Sequence, residues 1–250
     1  MMSDEYLARF SRQILVPGFD LEGQQALGRA RVAIVGCGGL GNMVALYLAA
    51  AGIGFVRLID DDVVDASNLP RQIAYIEDDV GKAKAHVLAH AMVKRASDIG
   101  VEVCMQRLQS NNASTLLDAV DVVIDATDNR AARLAIDTTT AASAMPWVMG
   151  SAVQMTGQNM VFDGQRTHGC YHCLYPQPAD EQGSCSELGI LSPVVGIVAL
   201  NQVIDVIKLL SGCGTVPWGT LRLVDFRSDD NPRLRLSPRP NCSLCRKTTG

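Results

Sequence analysis

Short continuous apolar runs alternate with stretches of helical period along roughly the first 150 residues of this chain. Arg31-Val-Ala-Ile-Val-Gly36 reads as a buried parallel strand, and Asn42 to Ala51 as the apolar helix that follows it. The alternation continues with a strand at Phe55 to Ile59, a helix from about Val80 to Ser97 and a strand at Val101 to Gln106. A short helix near Ser114 to Ala119, a strand at Asp121 to Ala126, a helix from Ala131 to Ala144 and a strand at Trp147 to Val153 complete it. This order predicts an α/β fold with a Rossmann-like, doubly wound, mainly parallel sheet. Near Ser151 the pattern changes: Gln158 to Phe162 reads as an antiparallel strand, and Leu221 to Phe226 with Arg233 to Leu236 as a closing hairpin. We expect one domain over residues 1–250, with a nucleotide-binding half to about 150 and a second half beyond it. The apolar stretch Val194 to Leu210 is interrupted by Asn201, Gln202, Asp205 and Lys208. Asn201, Asp205 and Lys208 fall on one helical face, which predicts an amphipathic core helix and not a membrane span.

The turn after the first strand, Gly36-Cys-Gly38-Gly39-Leu-Gly41, adds chemistry to this frame. Glycines let a phosphate approach bare backbone, and the helix N-terminus behind them offers unpaired N–H groups and a partial positive charge. Asp60 closes the second strand about 20 residues on, where a carboxylate accepts hydrogen bonds from ribose hydroxyls. An NAD-binding unit would look the same to this point. The next segment, Asp60-Asp-Asp62 to Ser67-Asn68-Leu-Pro70-Arg71-Gln72 and on to Lys84, departs from it. A triphosphate needs cations along its length, and attack at its α-phosphorus needs compensation for charge growing on the departing pyrophosphate. Arg71 and Lys84 suit that work; the plain alternative is that both are solvated surface cations. Asp128, just past the strand at Asp121 to Ala126, stands where open α/β sheets place their ligands, although Thr127-Asp128-Asn129 also suits a helix cap.

At 250 residues and 48% hydrophobic content, the chain can bury a sizeable core. The net charge of −4 gives no footprint for nucleic acid, and the N-terminus has no signal-peptide pattern, so we expect a cytoplasmic protein without a membrane partner. Eight cysteines in that compartment argue against a disulfide framework. Four form two pairs, Cys170-Tyr-His-Cys173 and Cys242-Ser-Leu-Cys245, which supply the thiolates of a closed tetrahedral zinc site. The competing redox reading needs a CxxC at a helix start, whereas both pairs read as loop; His168 and His172 are spare ligands. Cys37, Cys104 and Cys213 read as small structural residues. Cys185 lies in a polar stretch before a helix beginning near Ser192, a setting in which a loop cysteine can act as nucleophile.

Taken in order, Ser11-Arg12-Gln13-Ile14, Gly36 to Gly41, Asp60-x-Asp62, Ser67 to Gln72, Lys84, Asp125-Ala-Thr-Asp128-Asn129 and the two CxxC pairs resemble the ThiF/MoeB family. These are bacterial adenylyltransferases, related to ubiquitin-activating enzymes, that activate small ubiquitin-like sulfur carrier proteins. The resemblance covers nearly the whole chain, with Pro70 standing where the family usually carries Gln. It implies ATP, Mg²⁺ and Zn²⁺, a carrier ending in Gly-Gly, a separate sulfur donor and a homodimer. It further implies that Gly36, Gly38, Gly39, Gly41 and Asp60 seat the nucleotide, with Asp62 accessory. Ser67, Asn68, Arg71 and Lys84 would surround the phosphates, with Arg12 delivered from the other protomer. Asp128 would hold Mg²⁺ with Asn129 beside it, and Cys185 matches a cysteine linked to carrier transfer in the thiamine-pathway members. Gly169 to Pro176, Leu58 to Val63 and Ser192 to Gly196 look more like the thiamine-pathway branch than the molybdopterin branch. An NAD-dependent oxidoreductase and a silent carrier-binding scaffold are the readings from other classes.

Overall fold

The computed structural model describes residues 3–176 and 188–245. Two helices, α1 (Asp4–Ile14) and α2 (Asp20–Arg29), precede β1 (Arg31–Val35), α3 (Gly39–Ala51), β2 (Phe55–Ile59), α4 (Lys84–Arg95) and β3 (Gly100–Cys104). Then come α5 (Ala113–Leu116), β4 (Val122–Asp125), α6 (Arg130–Ala142), β5 (Trp147–Val153), β6 (Thr156–Phe162) and the single turn α7 (Tyr171–Leu174). The long α8 (Ser192–Ser211), β7 (Thr220–Asp225) and β8 (Arg233–Arg235) complete the order.

The strands form one sheet of eight in the order β3-β2-β1-β4-β5-β6-β7-β8. The first five are parallel, and β5–β6, β6–β7 and β7–β8 pair antiparallel, as the pattern change near Ser151 predicts. Alternation along β1 divides the core: Val32 and Ile34 face one layer with Val44, Leu48, Leu88 and Val198, while Ala33 and Val35 face another with Val123, Ile136, Trp147 and Met149. Trp147 and Phe162, opposite each other across β5 and β6, stack at 4.4 Å.

Several boundaries differ from the sequence reading. Helix α3 starts at Gly39, and α4 starts at Lys84, not near Val80. Residues 81–84 are first tied to 62–64: Gly81 N–H donates to Val64 O, Val64 N–H to Lys82 O and Lys84 N–H to Asp62 O, so the helix begins only where that pairing ends. The polar residues of α8 do not form a solvent face. Asp205 is fully buried and paired with Arg222 on β7, while Ile197 and Ile204 are exposed. Buried Gln202 donates to the backbone oxygens of Asp125 and Val148, so the inner face of α8 carries the groups that satisfy the sheet beneath it. Helix α8 has the length and hydropathy of a membrane span, yet it packs along α3, β5 and β6 as a core element.

Candidate functional site

The strand order reverses between β1 and β4, and the cleft at their C-terminal ends is where such sheets bind ligands. Gly36 leaves β1 at φ +93°, and a β carbon there would sit 2.9 Å from Ala126 O, so the turn presses against the segment after β4. A β carbon at Gly41 would overlap the Gly36 carbonyl oxygen, which lets α3 start directly under the turn. Asp60 ties the turn to β2: its Oδ2 accepts Cys37 N–H at 2.6 Å and its Oδ1 accepts Asp62 N–H at 2.7 Å. Burial pushes the Asp60 carboxyl up against those two hydrogen bonds, and it retains lone pairs for a ribose hydroxyl. Burial likewise drives the Cys37 thiol well above its ordinary range, leaving it inert inside the turn.

The cationic segment folds over this turn. Asp65 caps a turn of 3₁₀ helix at Ala66–Asn68, with Ser67 Oγ donating to Asp65 Oδ1 at 2.5 Å. Ser67 is thereby engaged in its own turn. The carbonyl of the buried Asn68 accepts N–H bonds from Arg71 and Gln72 at 3.1 and 2.9 Å. Arg71 O lies 3.5 Å from where a Gly39 β carbon would stand, and Gln72 Nε2 is 3.7 Å from that of Gly38. Arg71 donates to Ser67 O at 2.9 Å and has no carboxylate partner among the described residues. Pro70, despite lacking an N–H, contributes its carbonyl, which accepts Ser192 Oγ at 2.5 Å and so joins the segment to the start of α8. Buried Lys84 reaches Asp62 Oδ2 at 2.6 Å, so in this state its charge is held by a mostly exposed carboxylate. Tyr75 O–H bridges Cys37 O and Lys84 O, locking cation and turn together.

On the other wall, Asn129 is the N-cap of α6, accepting Ala132 N–H at 3.1 Å. The capping role considered for Asp128 is therefore filled by its neighbour. Asp128 is exposed, with no hydrogen-bond or ion-pair partner among the described residues. An exposed carboxylate just past a strand end has the chemistry of a hard oxygen ligand for a divalent cation.

The four paired cysteines converge although 72 residues separate their nearest partners. All four Sγ atoms lie within 4.8 Å of one another, with Cys170–Cys173 at 3.7 Å, Cys170–Cys242 at 3.4 Å and Cys173–Cys245 at 3.6 Å. A tetrahedral zinc with bonds of about 2.3 Å spaces its sulfurs about 3.8 Å apart, so the donors fit. Arg239 N–H points at Cys173 Sγ from 3.3 Å. Cys170 is the N-cap of α7, so its CxxC does begin at a helix, contrary to the loop context read from sequence. What favours a metal over a redox pair is the second CxxC beside it. His172 Nδ1 meets Asp137 Oδ2 at 2.8 Å, with a ring nitrogen within 4.8 Å of Cys170 Sγ, and His168 Nδ1 meets Asp163 Oδ2 at 2.6 Å; the four thiolates complete a tetrahedral set without either.

The chain matches the ThiF family over residues 10–244. It is 40% identical over 244 residues to the sulfur carrier protein ThiS adenylyltransferase of Escherichia coli strain K12, covering 98% of this chain and 97% of the relative. The chain belongs to the ThiF family. This ThiF-family chain is also 34% identical to the molybdopterin-synthase adenylyltransferase of the same organism, covering 98% of each. Among solved structures, E. coli MccB with ATP superposes at a TM-score of 0.84 and 25% identity, over 95% of this chain and 74% of that one. MccB with MccA gives the same score, identity and coverage. The ThiF-family protein is thus an adenylyltransferase, which decides against the NAD reading left open by the glycine turn.

Arg12 does not join the cleft within its own chain. Gln13 Nε2 donates to Ala51 O at 3.0 Å and to Gln24 Oε1 at 2.7 Å, which fixes α1 to the C-terminal end of α3. The 13-residue α3 places that end about 20 Å from the glycine turn. Cys185 and most of the loop from Gln177 to Leu188 lie outside the described residues. Sequence reasoning gave no role to Gln72, whose buried Oε1 has no partner among the described residues, and missed Arg133, buried beneath the strand end. Gln72 closes the Ser67 to Gln72 motif; Arg133 gave no signal, because one Arg in a helix reads as solvated.

Proposed function

We propose that this adenylyltransferase activates the C-terminal glycine of a small ubiquitin-like sulfur carrier protein, with the thiamine-pathway, ThiS-type carrier as its substrate. The carboxylate, ionised at neutral pH, attacks the α-phosphorus of ATP, forms an acyl-adenylate and expels pyrophosphate. No base is needed; positioning and charge neutralisation supply the catalysis. The observation that supports this reading is that Arg71 packs on the glycine turn and Tyr75 ties Lys84 to it at the switch point of the sheet, with an exposed Asp128 just past the neighbouring strand end. Lys84 leaves Asp62 for the phosphates, Arg71 neutralises charge growing on pyrophosphate, and Asn68 and Gln72 hold the intervening segment. Asp60 takes the ribose, and Asn129 keeps its capping role. Mg²⁺, bound through Asp128, would screen charge between the phosphates. Cys170, Cys173, Cys242 and Cys245 would hold Zn²⁺, stapling the C-terminal tail to α7.

The remote Arg12 supports a homodimer in which each site receives the partner subunit's Arg12. Exposed Leu15, Val16, Tyr47, Ile197 and Ile204 supply apolar surface for such an interface. Cys185 would accept the activated carrier before a separate protein supplies sulfur, all in the cytoplasm. The preference for ThiS over a MoaD-type carrier rests on 40% against 34% identity to the two E. coli relatives. ATP–pyrophosphate exchange, with each carrier offered separately, tests both levels. Exchange with the ThiS-type carrier alone supports the reading; exchange with the MoaD-type carrier alone reassigns the pathway, and exchange with neither refutes it.

A further inference from the structure

Below Asp128 lies a buried charged network that none of the roles above uses. Asp125, the last residue of β4, is fully buried, and its Oδ1 accepts Thr127 N–H at 3.0 Å and Thr127 Oγ1 at 2.6 Å. Its Oδ2 accepts Arg133 Nε at 2.8 Å. Arg133, on α6, also donates Nη2 to Thr127 O at 2.5 Å and to Gly150 O on β5 at 3.1 Å. Gln202 of α8 donates to the Asp125 carbonyl at 2.7 Å, so β4, β5, α6 and α8 meet at this point. The Tyr171 side chain lies against the same guanidinium, between Cys170 and Cys173 in sequence.

A buried ion pair is poor evidence for stability, since apolar residues of equal volume often do as well. What a planar guanidinium adds is geometry, because its fork fixes several acceptors at once. Here the backbone N–H, carbonyl and hydroxyl of Thr127 are all engaged by Asp125 or Arg133. Asn129 is pinned by capping α6. Asp128 is thus bracketed by two immobilised neighbours while its own carboxylate remains exposed. We propose that Arg133 is a positioning residue that sets Asp128 for the metal–phosphate contact. The inference rests on the role given to Asp128 above.

The test is a Mg²⁺ titration of the full chain, read both by carrier-dependent ATP–pyrophosphate exchange and by the rise in melting temperature that ATP gives without carrier, comparing R133K with R166K. Arg166 is a second buried arginine, paired with Asp137 and bonded to Thr140 Oγ1, with no bond to Asp125, Thr127 or Gly150 among the described residues. Lysine keeps the charge opposite Asp125 but loses the fork. R133K is expected to raise the Mg²⁺ concentration for half-maximal exchange about tenfold, as loss of one buried charge-assisted hydrogen bond would. R166K is expected to lower the melting temperature and leave the Mg²⁺ dependence at the wild-type value. Wild-type Mg²⁺ dependence in folded R133K, or an equal shift in R166K, overturns the proposal. Should R133K not fold, Thr127→Val takes its place, with a smaller shift in the same direction expected and no shift overturning it. Absence of exchange in the wild-type chain sinks the adenylation reading and this inference together; exchange with unaltered variants sinks only the inference.

Discussion

Lys84 and Asp62 form the pair whose perturbation tells most about how the cleft works. The ammonium is buried, its side chain 7% exposed, while the Asp62 side chain is 60% exposed, and they meet at 2.6 Å. Breaking a fully buried pair by deleting one partner costs about 3–5 kcal/mol, and an exposed pair is worth up to about 1 kcal/mol. Water on the Asp62 side moves this pair toward the lower figure, so Asp62→Asn is expected to lower stability by about 1–2 kcal/mol. The same substitution removes the internal competitor for Lys84. A triphosphate then restores a counter-charge that the apo protein lacks, and the stabilisation by ATP should grow by about the amount that apo stability fell. Lys84→Met behaves oppositely: methionine suits the buried site and releases Asp62 to water, leaving apo stability near wild type while ATP binding weakens at least about tenfold. Urea unfolding with and without Mg-ATP measures all four quantities. If Asp62→Asn leaves both apo stability and the ATP increment unchanged, the pair does not hold Lys84 in reserve and the reasoning is refuted.

Other substitutions follow from the geometry. Gly41→Ala forces a β carbon onto the Gly36 carbonyl and should cost about 1–3 kcal/mol with loss of nucleotide binding, checked by thermal melting and ATP titration. Asp128→Asn should keep wild-type stability, since Asn129 caps α6, yet abolish pyrophosphate exchange; normal exchange would remove Asp128 from the metal site. Cys242→Ser should release bound zinc, read by metal analysis, and lower the melting temperature; retention of one zinc per chain would contradict the four-thiolate site. Arg12→Ala and Lys84→Met chains, each inactive, should on equimolar mixing recover about a quarter of wild-type exchange, because half the dimers are mixed and each of those has one intact site of two. No recovery would place Arg12 outside the partner's cleft.

The parallel strands were legible because they are buried on both faces and read as uninterrupted apolar runs, as at Val32 to Val35 and Val122 to Ile124. The glycine turn was legible because its backbone geometry admits few residues, as the Gly36 and Gly41 contacts demonstrate. The two CxxC pairs announced a shared site by spacing alone, and the sulfurs do converge. Less visible were features that depend on what a side chain meets after folding. Asp205 looked like part of a solvated stripe until β7 delivered Arg222 to it, and Arg133 looked like any helical cation until β4 turned Asp125 beneath it. The start of α4 was displaced by tertiary pairing at Val63 and Ala83, which no local propensity encodes. The choice of Asn129 over Asp128 as cap depends on one residue of register, the scale at which helix boundaries are hardest to read.

The central claim is that this chain places an adenylyl group on the C-terminal glycine of a carrier protein. The most direct measurement is the intact mass of a ThiS-type carrier after brief incubation with the protein and Mg-ATP. A carrier heavier by one AMP moiety, with the label confined to the terminal glycine and absent when that glycine is removed, is the predicted result. An unmodified carrier, with ATP turned over or not, contradicts it.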